Sequence, residues 1–157
     1  MEEIAPFKYI TNIVPKPHSA FERYIVQITP NAGLSWVKSL GHTISTNRFG
    51  LTLLTAFNSM EEKLSAAYGG KIRTDFLMDG SIWNEPQDWM QALQLRERFL
   101  GVTWDNSTGA NLKDSLSSIY LGATAVDTEC GFIFIEYSFE NSSQAEAEIA
   151  ASEDDAL

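Results

Sequence analysis

The sequence predicts an α+β fold: a single two-layer domain, with an antiparallel sheet carrying two main helices on one face. Three observations lead there. Two helical patterns sit between strand-like runs instead of alternating with them, which indicates helices packed on an antiparallel sheet. One of these patterns, Phe49, Leu53, Phe57, Met60, Leu64 and Ala67/Tyr68, forms a continuous apolar stripe of the kind that covers a sheet. Finally, GFIFIEYSF places Ile133, Ile135, Tyr137 and Phe139 on one side and Phe132, Phe134 and Glu136 on the other, as expected of a central strand. A chain of 157 residues suits one domain, and it can build a core without disulfides or metal.

Residues 1–20 contain Pro6, Pro15 and Pro17 and read as an extended N-terminal arm. The arm carries Phe7, Tyr9, Ile10, Ile13 and Val14, so it must pack, either on its own domain or on a neighbouring subunit. The domain proper spans 21–140. ERYIVQIT (22–29) is rich in β-branched and aromatic residues and stops at Pro30, so it reads as a strand. Asn31 then suits the cap of a short helix with Leu34, Trp36, Val37 and Leu40, ended by Gly41. The long helix follows from about Thr46 to Tyr68 and closes at Gly69-Gly70.

KIRTDFLM, Asp79-Gly80 and SIW predict a hairpin over 71–83, because Asp-Gly favours the tight turn between paired strands. In that hairpin Ile72, Phe76 and Met78 share one face, Arg73 and Asp75 share the other, and Trp83 lies in the returning strand. Asn84 and Gln87 resemble a capping box, and Pro86 and Asp88 suit a first helical turn. The second helix therefore runs through Trp89, Leu93, Arg96 and Leu100 to Gly101. VTW reads as a short strand, DNSTG as a loop, and 111–118 as either a helical turn or a strand. IYLGATAV and GFIFIEYSF then flank a turn at DTECG. The tail, 141–157, is small, polar and acidic, and its composition predicts a disordered solvated segment.

The net charge of −10 is unevenly spread. Residues 140–157 hold six acids and no base, while residues 1–139 hold 15 acids and 11 bases. No basic cluster exists, which argues against direct binding to a nucleic-acid backbone. No run is long and apolar enough for a membrane span. The single cysteine, Cys130, suits a reducing, cytoplasmic compartment.

The inventory for catalysis is thin. His18 and His42 are the only histidines, and no ligand spacing for zinc occurs. Cys130 stands beside Asp127 and Glu129, which oppose a thiolate. No serine elbow is present. Tyr68-Gly69-Gly70-Lys71 follows a helix, the reverse of a phosphate loop. No cofactor and no metal site are expected. The one carboxylate group worth weighing is Asp75, Asp79, Glu85 and Asp88, which would serve a metal-assisted hydrolase if it converged.

Three of the four tryptophans, Trp83, Trp89 and Trp104, bracket the second helix. They serve either as core or, with Arg73, Arg96 and Arg98, as an aromatic patch for a protein partner. Phe7 and Tyr9 on the arm extend that candidate surface. The sequence thus favours a non-enzymatic protein that binds a protein partner or itself as a homo-oligomer. Its character suits a phage or viral assembly component, or an inhibitor of a host protein. Two alternatives stand outside that class: an acidic nucleic-acid mimic that blocks a DNA- or RNA-binding protein, and the metal-assisted hydrolase built on the clustered carboxylates.

Overall fold

Nine strands form one sheet: β1 (Glu2–Ala5), β2 (Lys8–Thr11), β3 (Phe21–Thr29), β4 (Gly33–Gly41), β5 (Ile44–Ser45), β6 (Ile72–Leu77), β7 (Arg98–Asp105), β8 (Leu116–Ala125) and β9 (Cys130–Phe139). Eight of them run in the order β1-β2-β3-β4-β9-β8-β7-β6, every neighbour antiparallel, and β5 pairs with the start of β9. Three helices complete the chain: α1 (Leu51–Tyr68), α2 (Trp89–Gln94) and α3 (Ser142–Asp154). This computed structural model describes residues 1–157, and together they form the α+β domain that the sequence predicts. No helix is long and apolar enough to cross a membrane.

The register decides which residues share a face. Val102, Leu121, Ile135 and Ser39 lie in one cross-strand row, and Trp104, Ile119, Tyr137 and Val37 lie in the next. Helix α1 packs on this side of β8 and β9, and α2 packs on β7 and β8. The core between the layers contains Leu53, Phe57, Met60, Leu64, Met90, Leu93, Val102, Trp104, Ile119, Leu121, Ile133 and Ile135. The α1 stripe is therefore a sheet-facing surface. Its start lies later than the periodicity suggests. Thr46 and Asn47 stay outside the helix and accept hydrogen bonds from Thr52 N–H and Leu51 N–H, so they satisfy the free amides of the first turn.

Four expectations need correction. Residues 33–41 form β4, not a short helix. Leu34, Trp36, Val37 and Leu40 fit either period, and pairing on both sides with β3 and β9 outweighs helix propensity. The Asp79-Gly80 turn exists, with Ser81 N–H donating to the Met78 carbonyl. The segment after it does not return along β6, and Trp83 lies in no strand. The partner of β6 is β7, which begins about 20 residues later. The second helix stops at Gln94 because Arg96 turns left-handed (φ 60°) and the N–H groups of Arg96 and Glu97 bond back to Leu93 and Ala92.

Finally, the segment expected to be a disordered tail holds helix α3. The Glu148 carboxylate accepts from the Asn31 and Ala32 amides at 2.8 and 3.1 Å, and Asn141 Nδ2 donates to the Ala32 and Leu34 carbonyls. Ala145 is fully buried. Polar docking onto the β3–β4 turn thus compensates for the scarce apolar area. The arm forms the β1–β2 hairpin and pairs with β3 of its own domain.

Candidate functional site

The face opposite α1 and α2 is the most unusual surface of the molecule. Phe76 pairs with Phe99, Gly101 with Gly122, Gly122 with Phe134, and Phe134 with Leu40. The next row brings Tyr120 beside Glu136 and Lys38. These side chains are not covered: Ile72, Phe76, Phe99 and Tyr120 are 56, 51, 39 and 37% exposed. Phe134, Trp36 and Leu40 are half-buried.

The rings form two contacting pairs. Phe76 and Phe99 stack with centroids 5.0 Å apart, and Tyr120 and Phe134 lie tilted at 6.0 Å. A Cβ at Gly101 would collide with the end of Tyr120, and one at Gly122 with the Phe134 ring. The missing side chains let two aromatic rings lie low across the strands. The Lys38 ammonium sits 4.4 Å from the Phe134 centroid and pairs with Glu136 at 3.4 Å. Lys8 sits 5.0 Å from the Trp36 ring. Burial, and then the nearby Glu136 carboxylate, raise the Tyr120 hydroxyl above its ordinary pKa. In register on this face are the bases Lys8, Arg23 and Lys38 and the acids Glu2, Asp105 and Glu136. With Arg96 at its border, this face carries no excess of acids, on a molecule of net charge −10.

The residues singled out from the sequence are mostly elsewhere. Trp104 is fully buried in the core, on the helix side of β7. Trp89 is half-buried; its ring leaves no room for a Cβ at Gly50, just before α1, and the Arg98 guanidinium lies 5.9 Å from it. Trp83 is half-buried in the loop after β6. Arg73 binds Glu61, Asn58 and Asp75 and lies 5.3 Å from the Phe57 ring, so it ties edge strand β6 to α1. Arg96 is exposed at the end of α2 and borders the open face, lining one shallow pocket with Phe99, Tyr120, Phe134 and Lys38. Phe7 occupies the β1–β2 turn and Tyr9 pairs with Val26. These residues do not form one patch. The open strip uses Phe76, Phe99, Tyr120, Phe134 and Trp36 instead, and the signal for it was the apolar character of both faces of β9.

Glu61 is buried at the inner end of this tie. Burial alone would raise its pKa, but Lys71 and Arg73 together outweigh that and hold it below the ordinary carboxylate value. The acids Asp75, Asp79, Glu85 and Asp88 do not converge. Asp75 pairs with Arg73 and Arg98, and Asp88 accepts from the Glu85 amide. No group of three or more His, Cys, Asp or Glu side chains is placed to hold a metal. His42 contacts Glu22 and the Ser19 carbonyl on the surface. The Cys130 thiol is raised above its ordinary pKa by burial and by the Asp127 carboxylate.

A second feature lies on the helix side. A groove of about 750 Å³ opens between α1, the loop before β3, and strands β3, β4 and β9. Tyr24 lines it, and the Tyr24 hydroxyl is closed off with no hydrogen-bond partner. Burial, with Tyr68 and Tyr24 nearby, pushes the Tyr137 hydroxyl beside it up to about 12. Comparison with protein-family models, curated proteins and solved structures finds no match to this chain.

Proposed function

We propose that the protein is a non-enzymatic binding protein that uses the open sheet face as its interface, with a second copy of the chain as occupant. The observation that carries this reading is the strip of solvent-facing aromatic rings at Phe76, Phe99, Tyr120 and Phe134. Large exposed apolar patches on soluble domains mark interaction sites, and aromatic side chains dominate binding energy. Charge supports the choice of occupant. Two copies of net charge −10 repel overall, but this face carries no excess of acids. Eight strands at about 4.8 Å spacing span about 34 Å, a width suited to the roughly 800 Å² per partner of a standard interface. Self-association of this kind fits an assembly component working in a reducing, cytoplasmic compartment where Cys130 stays free.

Sedimentation velocity across a concentration series tests the proposal. The native chain should dimerise, and the double variant Phe76→Ser/Phe99→Ser should be monomeric with an unchanged circular dichroism spectrum. A native chain that stays monomeric at submillimolar concentration rules out self-association. The acidic nucleic-acid mimic is the second reading, supported by Glu146, Glu148, Glu153 and Asp154 being carried on a helix docked to the domain. It requires binding to a cationic partner that weakens steeply with salt; salt-independent binding would exclude it.

A further inference from the structure

We infer that the groove between α1 and β3, β4 and β9 is a binding site for an amphipathic organic carboxylate, independent of the open sheet face. Its volume of about 750 Å³ falls within the usual range for small-molecule sites, roughly 300–1,000 Å³. Its walls are Val14, Phe21, Val37, Met60, Leu64 and Ile135, an apolar lining suited to an alkyl chain. Two features demand a polar end as well. Tyr24 is only 6% exposed, yet its hydroxyl has no partner. Buried polar groups are almost always paired, so this hydroxyl, closed off beside the groove in the free protein, is left for a ligand oxygen to reach when the wall adjusts.

The second feature is charge. Lys16 and Lys63 line the groove, and neither belongs to an ion pair. His18 also lines it, and its Nδ1 accepts from the Ala20 amide. Asp114 is the only acid among the lining residues. A local excess of positive charge on a molecule of net charge −10 is a selective feature: it attracts an anion and disfavours a cation of the same shape. In the bound state the alkyl chain lies along the apolar wall. The carboxylate accepts from the Tyr24 hydroxyl and is neutralised by Lys16 and Lys63.

Isothermal titration with decanoate, decanol and decyltrimethylammonium tests this. Decanoate should bind saturably with one site per chain, decanol at least tenfold more weakly, and decyltrimethylammonium not measurably. Lys63 is exposed on α1, so Lys63→Glu should keep the fold while weakening decanoate at least tenfold. Tyr24→Phe should weaken it several-fold without lowering the melting temperature, because it deletes an unpaired hydroxyl. Absence of saturable decanoate binding, equal binding of the cationic probe, or decanoate affinity unchanged by Lys63→Glu would each overturn the inference. The double variant Phe76→Ser/Phe99→Ser should bind decanoate as the native chain does; loss of decanoate binding in that variant would overturn the independence of the two sites.

Discussion

On β7, Leu100, Val102 and Trp104 face α1 and α2 and are at most 4% exposed, whereas their neighbour Phe99 is 39% exposed on the other side. The two faces of this sheet are both rich in apolar side chains, but only one is covered. At the β6 edge the contrast reverses the usual pattern. Ile72 and Phe76 face outward, while Arg73 and Asp75 lie on the helix side, where Arg73 meets Glu61. Which side of a strand is buried is therefore not a property of its own residues. It depends on what the neighbouring element presents, and on α1 that is a buried carboxylate.

The largest expected effect breaks the covered face. Trp104→Ala removes a fully buried ring and should destabilise the fold by about 3–5 kcal/mol, read as a lower urea midpoint with the slope unchanged. Next is the polar tie at its edge. Glu61→Gln leaves Lys71 and Arg73 without their shared carboxylate and should cost about 2 kcal/mol, less than for a fully enclosed pair because both cations reach solvent. The pH dependence follows from the lowered pKa of Glu61. The stabilisation is fully present above the unfolded-state value of about 4.3 and is lost as pH falls through the lower folded value. Glu61→Gln should therefore flatten the acid limb of a melting-temperature profile; an acid limb identical to the native one would contradict this role.

Smaller effects probe the open face and its neighbour. Gly122→Ala must displace the Phe134 ring. It should cost about 1 kcal/mol and weaken self-association in the same sedimentation assay. Glu148→Gln weakens the dock of α3 on the Asn31 and Ala32 amides. The Thr29 hydroxyl and these amides hold this carboxylate below its ordinary pKa, so docking is complete above the unfolded value and fails as pH falls through the folded one. Faster amide exchange confined to 142–157 is the expected readout, with the core unchanged; protection equal to the native chain would show that Glu148 does not hold the helix.

Much of the framework was legible in the residues. The α1 stripe, the ERYIVQIT strand and the closing hairpin of β8 and β9 rest on strong local periodicity, and β9 is the central strand that its two apolar faces suggest. Ambiguity arose where one pattern serves two periods. Leu34, Trp36, Val37 and Leu40 fit a helix turn as well as a strand, and Trp89, Leu93 and Leu100 extend a helical stripe across a chain reversal at Arg96. The members of the open aromatic strip are scattered in the sequence: they come from five strands and meet only through register. The tryptophans that cluster in one stretch of sequence are instead core, helix-start and loop residues.

By itself, the sequence determined the class of fold, the sheet-covering face of α1, the strong central strand and the Met78–Ser81 turn. These depend on spacing, turn chemistry and burial within a few residues. Tertiary structure alone decided that β6 pairs with β7, that residues 33–41 are a strand, that the acidic segment docks as a helix, and that one apolar face stays open. Each of these outcomes depends on hydrogen-bond partners and covering surfaces far away in the chain. Pairing partners and coverage are properties of the assembled fold, and local composition carries no record of them.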